Sequence, residues 1–255
     1  MNKLQIKLLY LLFAGLLFSC SSSTDSNGDG GESDINKSGQ PMPSVTSVEG
    51  LEFGGVLATV LFEFETIPGF PAAQFAMGYA WFGNGDNAGD VAVNEQPLMA
   101  ESQSGSTWYN SFSQTNPSSL NNVSFNGSNH NWEVAGNGDI PAFDLAVSSP
   151  SSFTLTSPVS GNIDKSNGLN ITWVGSLNNT DSMLVLVVDL SNSKTYIAQG
   201  LPNNGQHSIE AADLSDISGE AMIQVVKYRY NLYQTETKFY QAVAEIVKQV
   251  TVTFQ

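Results

Sequence analysis

Cys20, His130 and His207 are the only cysteine and the only histidines in the 255-residue chain. A zinc site takes three or four nitrogen, sulfur or oxygen ligands, and two widely separated histidines supply that poorly. Both histidines are expected at exposed strand ends. No G-x-S-x-G nucleophile elbow and no H-E-x-x-H pair occurs. The best carboxylate pair is Glu63 and Glu65. Two residues apart on a strand, they share a face about 6–7 Å apart, a separation used by glycosidases. Those enzymes draw their acids from different strands of a cleft, so this pair is expected to face solvent. Asn84, Asp86 and Asp90 in FGNGDNAGD, with Asn137 and Asp139 in a second GNGD, offer oxygen ligands on turns. Calcium takes six to eight such oxygens and is the one candidate cofactor. Hairpin-turn chemistry accounts for the same letters without a metal. Trp81, Trp108, Tyr109 and Trp132, interleaved with Asn and Ser, form a candidate sugar-binding face, using rings for stacking and amides for hydroxyls. The alternative is that sandwich strands bury these rings. Tyr228, Tyr230 and Tyr233 around Arg229 pose the same question.

The elements that must position these residues read as strands. VLATVLFEFET (56–66) alternates Phe62 and Phe64 with Glu63 and Glu65, the period of a half-buried strand. Further strands are expected at 75–82, 90–95, 106–112, 122–127, 130–136 and 142–148. The second half continues at 152–158, 169–175, 182–190, 194–200, 207–214, 221–233 and 238–254, with one short helical piece near 210–216. Asn-Gly at 126–127, 167–168 and 204–205 suits type I′ hairpin turns. Short strands at this spacing argue for antiparallel sandwiches. The expected fold class is therefore all-β, with two tandem antiparallel β-sandwich domains at 45–148 and 149–255.

Charge narrows the partners. The net charge is −15, Arg229 is the only arginine, and residues 38–164 hold 12 acids with no Lys or Arg. Such a surface repels phosphate backbones, which argues against nucleic acid, and it repels anionic lipid. With one cysteine no internal disulfide forms, so stability must come from burial.

The first residues read as an address. MNKLQIK is a basic n-region and LLYLLFAGLLF (8–18) an apolar h-region. Eleven residues are too few to span a bilayer, which needs about 20, so 1–19 reads as a signal peptide. Residues 20–44 are rich in Ser, Gly, Asp and Asn, the composition of a disordered linker. About 24 such residues span roughly 25–30 Å. Within the linker, Asp25-x-Asn27-x-Asp29-Gly30 opens like an EF-hand loop. Its twelfth position is Asn36, not the closing Glu, so it is expected to be spacer.

Leu17-Phe18-Ser19-Cys20 resembles the bacterial lipobox, with Phe18 bulkier than is usual there. The resemblance implies lipidation of Cys20 (diacylglyceryl and palmitate-type chains), cleavage before it, and anchoring to a membrane by more than one acyl chain. Serine and acids after the cysteine resemble the export signals of Bacteroidota surface lipoproteins, although their acids usually lie closer to the cysteine. That implies an outer-membrane lipoprotein at the cell surface or facing the periplasm. Asn131-Trp132-Glu133-Val134-Ala135-Gly136 and Pro141-Ala142-Phe143 are similar to stretches in such proteins. Asp181-Ser182-Met183 fits the short O-glycosylation pattern the same resemblance would bring, at Ser182. Residues 150–255, with Trp173 on an early strand and GQHSIEAADLSDISGEAMIQVVKYRY, resemble immunoglobulin-like or fibronectin-type modules, in which the tryptophan sits between the sheets. A fold-level likeness implies no activity. The expected function is noncatalytic binding of a glycan or a surface protein. The alternatives are glycan hydrolysis and a calcium-stabilised structural or adhesive module.

Overall fold

The computed structural model describes residues 48–64, 73–111 and 120–255. Cys20, the expected signal peptide and the tether lie outside them. In chain order the strands are β1 (Glu52–Phe64), β2 (Ala73–Phe82), β3 (Val91–Val93), β4 (Gln96–Pro97), β5 (Met99–Gln103), β6 (Ser106–Asn110), β7 (Asn129–Val134) and β8 (Phe143–Ser148). There follow β9 (Phe153–Ser157), β10 (Gly161–Ile163), β11 (Leu169–Gly175), β12 (Ser182–Asp189), β13 (Thr195–Pro202), β14 (Gln206–Ile209), β15 (Gly219–Gln234) and β16 (Lys238–Phe254). The all-β expectation holds. The helical piece expected near 210–216 is a single 3-10 turn, Ala211–Leu214.

A nine-stranded sheet runs in the order β13-β12-β15-β16-β1-β2-β6-β5, with β10 also on β16. Its spine is the long β15–β16 hairpin. The hairpin turn is closed by Thr235, whose Oγ1 accepts from Lys238 N at 2.9 Å. Alternate residues of β16 point to one face. Tyr240, Ala242 and Ala244 enter one core and Ile246, Val252 and Phe254 enter a second. The sheet β4-β3-β7-β8 covers the first core with Val91, Val93, Trp132, Val134, Phe143, Leu145 and Val147. The sheet β14-β11-β9 covers the second with Phe153, Leu169, Ile171, Trp173 and Ile209. Burying each such side chain contributes roughly 1.5–3 kcal/mol. Gly54 lets β1 cross the first core closely, since a Cβ there would meet the Tyr240 ring at 2.7 Å. The opposite face of the large sheet is apolar too. Val56, Val60, Val226, Val243 and Val247 are buried there and belong to neither core.

This arrangement corrects the expected division into tandem units. β1, in the first half, pairs parallel with β16 along nearly its whole length, from Glu52↔Lys238 to Phe64↔Gln249. The described residues form one compact unit. The two sandwiches share one large sheet, and the sheet is mixed rather than purely antiparallel. The expected strand at 122–127 makes only the Asn126↔Ser151 bridge. None of the Asn-Gly turns closes a hairpin of two paired strands. Gly168 caps a 3-10 turn, and Gly205 joins β13 to β14, which lie in different sheets.

Candidate functional site

β12 begins at Ser182, opposite Tyr228, and β15 runs on past it. Lys227 and Arg229, two apart on β15, therefore project to one face just where β12 begins, with Tyr228 and Tyr230 on the other face, and Asp181 meets both cations. Lys227 Nζ lies 3.1 Å from Asp181 Oδ2, and neither side chain is exposed. Lys227 also donates to Ser176 O at 2.8 Å. Arg229 Nε donates to Asp181 Oδ1, and its Nη1 donates to Ser148 Oγ of β8 at 3.3 Å. Asn178 Nδ2 donates to Asp181 Oδ2 at 2.8 Å, while Asn178 Oδ1 accepts from Thr180 N and Asp181 N. The carboxylate is thus held by two cations and an amide, which is the condition for tolerating a buried charge.

Above this cluster opens a cleft of about 540 Å³ lined by Ser148, Thr180, Ser182, Tyr228, Arg229 and Tyr230. The Arg229 side chain is 22% exposed, and its Nη2 has no partner among the described residues. Tyr228 OH accepts from Gly200 N at 3.2 Å, and burial pushes this phenol up from its ordinary value. Tyr230 is 41% exposed. The lining is mostly hydroxyl-bearing residues with one guanidinium.

Of the two readings of the aromatic residues, burial rather than a sugar-binding face describes Trp81, Tyr109 and Trp132. Tyr109 and Trp132 are packed in the first core, and Tyr109 OH donates to Asn87 Oδ1 and accepts from Ala88 N. Trp81 and Trp108 pair directly across β2 and β6. Trp81 is buried, with its Nε1 bonded to Gly83 O at 2.9 Å, and Trp108 is half-buried. Asn84, Asp86, Asp90, Asn137 and Asp139 are exposed on turns. No group of three or more His, Cys, Asp or Glu able to hold a metal occurs among the described residues. Asp139 instead lines an open groove of about 510 Å³ with Lys238 and Tyr240.

Glu63 does not face solvent. It is buried, pairs with Lys248 and accepts from Gln74 Nε2 at 2.7 Å, and Glu65 lies outside the described residues. Burial lowers the Lys248 ammonium. His130 is likewise not at an exposed strand end. It is fully buried between Thr59 Oγ1 at 2.6 Å and Ser124 O at 3.2 Å, and burial lowers its imidazole. His207 is half-buried, with Nε2 2.9 Å from Tyr196 OH. Ser182 lines the Arg229 cleft. The residues flanking it in the glycosylation pattern are committed elsewhere, Asp181 to the ion cluster and Met183 to the second core. Trp173 does sit between sheets, and its Nε1 donates to Asn203 Oδ1 at 3.0 Å.

The cluster of Asp181, Lys227 and Arg229 was not among the expected sites. Its sequence signal is Lys-x-Arg within an otherwise apolar strand, AMIQVVKYRYNLY. Two cations on one face of such a strand demand a counter-ion.

Fold and cleft together define an all-β sandwich protein with a polar cleft where β12 begins against β15. No protein-family model matches the chain, and no curated protein matches it. Among solved structures it is similar to the fibronectin(III)-like modules of Clostridium thermocellum CbhA, at 11% identity. That match covers 70% of this chain and 84% of that one, with a TM-score of 0.23. It is also similar to the FN1-FN3 domains of chicken CNTN1, at 9% identity over 67% of this chain and 62% of that one, with a TM-score of 0.22.

Proposed function

We propose that the chain is a noncatalytic lipoprotein of the bacterial outer membrane, anchored through Cys20, whose sandwich binds a glycan. The observation that carries binding is the Arg229 cleft. A guanidinium held by a buried ion cluster lines it together with the hydroxyl-bearing residues Ser148, Thr180 and Ser182, and a few polar groups around a concave surface are what ligand sites use. The basic and apolar leader ending in Ser19-Cys20 supports the anchor, and the polar tether supports display away from the bilayer.

The test has two arms on the full-length chain expressed in a bacterium with a lipoprotein-processing pathway. Radiolabelled palmitate should enter the wild type and not Cys20→Ala, and Cys20→Ala should leave the membrane fraction. The mature wild-type protein should bind saccharides on a glycan array. Unlabelled wild type would overturn the anchor, and a blank array would overturn glycan binding.

A further inference from the structure

We propose that Tyr79, Gln241 and Glu245, on the face of the large sheet turned away from both cores, form a site for a small organic amine, a primary ammonium carried on an apolar body. The site is separate from the Arg229 cleft and does not depend on the glycan reading.

Register places the three side chains. Tyr240, Ala242 and Ala244 of β16 enter the first core, so Gln241, Val243 and Glu245 point to the other face. Ala58 of β1 pairs with Val243 on one side and with Tyr79 on the other. The three polar residues therefore surround Ala58 and Val243, with their backbones about 12–13 Å apart by strand rise and spacing. Val56 pairs with Gln241 and Val60 with Glu245, which adds apolar walls. Tyr230, the partner of Val243 on β15, is 41% exposed, so this face meets solvent beside the triangle.

Unmet hydrogen bonding is the second argument. The Tyr79 hydroxyl and both amide atoms of Gln241 are buried without a partner. Glu245 is buried with no ion pair or hydrogen bond among the described residues. Buried polar groups are ordinarily satisfied, so each exception needs a reason. A phenol oxygen, an amide oxygen and a carboxylate all accept, and a primary ammonium brings three N–H donors.

Charge selects the ligand's sign. A chain of net charge −15 draws cations. Lys227, Arg229, Lys238 and Lys248, the cations of β15 and β16, all project to the other face. Tyr79, Tyr228 and Tyr230 are the titratable groups around Glu245. The carboxyls of Glu101 and Glu220, on the same face, lie roughly 20 Å or more away. Burial pushes the Glu245 carboxyl up to about 8. An ammonium that pairs with its carboxylate form therefore releases the Glu245 proton to solvent at neutral pH.

The experiment is calorimetric titration of the full-length protein with 2-phenylethylamine, its neutral isostere 2-phenylethanol, and its trimethylammonium analogue, in buffers of different ionisation enthalpy. The amine should bind at least about tenfold more tightly than the alcohol. It should release about one proton near pH 6.5 and bind more tightly as pH rises toward 8. The trimethylammonium analogue, which has no N–H, should bind several-fold more weakly than the amine. Glu245→Gln should abolish the preference and the proton release while retaining the thermal transition. Gln241→Leu should weaken amine binding several-fold with the fold intact. Equal binding of amine and alcohol, binding without proton release, or a preference retained in folded Glu245→Gln would overturn the site. A trimethylammonium analogue that binds as tightly as the amine would overturn the three-donor arrangement. Failure of the amine to bind would overturn the proposal and leave glycan binding at the Arg229 cleft standing.

Discussion

Two buried carboxylates sit on opposite faces of the same sheet region. Asp181 meets the face of β15 that carries Lys227 and Arg229, and every oxygen of it is engaged. Glu245, on β16, lies directly across from Tyr228 on the other face. It is 3% exposed, has no cation within reach among the described residues, and burial pushes its carboxyl up to about 8. One strand alternation separates a carboxylate held by two cations from one with no ion pair among the described residues. The first holds a half-buried guanidinium. The second should make the stability of the sheet depend on pH.

Removing the satisfied anion should cost most. Asp181→Ala leaves the Lys227 ammonium buried without a counter-ion, and denaturant unfolding at neutral pH should show a loss of about 3–5 kcal/mol. Replacing Asp181 and Lys227 together by Leu and Met should cost far less. A double variant as unstable as the single one would contradict the view that the penalty is an uncompensated charge.

Glu245 comes next. Its unfolded carboxyl ionises near 4.5 and its folded one near 8, so between those values the folded state binds the extra proton. Stability should fall as pH rises through that window and level off above it. Glu245→Gln should remove this slope and gain about 2–3 kcal/mol at pH 8, less than the full shift because a buried amide still lacks partners. A wild-type unfolding profile that is flat from pH 5 to 8 would remove the contrast between the two faces.

Lys248→Met is intermediate. The Glu63 carboxylate it abandons is 5% exposed and keeps the Gln74 amide, and Lys248 itself is 18% exposed, so the loss measured by thermal unfolding should be about 1–2 kcal/mol. Arg229→Gln should cost least, about 1 kcal/mol in denaturant unfolding, because Lys227 still compensates Asp181. A cost as large as that of Asp181→Ala would mean Arg229 holds the fold rather than serving the cleft.

The strands with clear period-two patterns were legible in the sequence, because local alternation reports burial directly, while Trp173 between the sheets followed from the resemblance to immunoglobulin-like modules. The joining of the halves was not. β1 and β16 lie at opposite ends of the described chain, and nothing local in VLATVLFEF names QAVAEIVKQV as its parallel neighbour. Asn-Gly misled for the same reason. It permits a tight turn, but whether the flanking strands pair is settled by tertiary contacts. Trp132 and Tyr109 could be read as a sugar face or as core, since a ring's chemistry does not reveal which side of the strand is covered. Glu63 next to Phe62 and Phe64 reads as a solvent-facing acid only while Lys248 is unseen. Of the cleft, Tyr228, Tyr230 and Arg229 were visible as a local group. Asp181, Ser148 and Thr180 come from distant segments.

Because Arg229 is the only arginine, [15N]arginine labelling gives one guanidinium to observe. The account predicts a single side-chain Nε–H resonance at neutral pH, protected from exchange by Asp181, with Nη signals that shift on titration with a saccharide the array shows to bind. A rapidly exchanging Nε–H, or Nη signals that such a saccharide leaves unmoved, would contradict it.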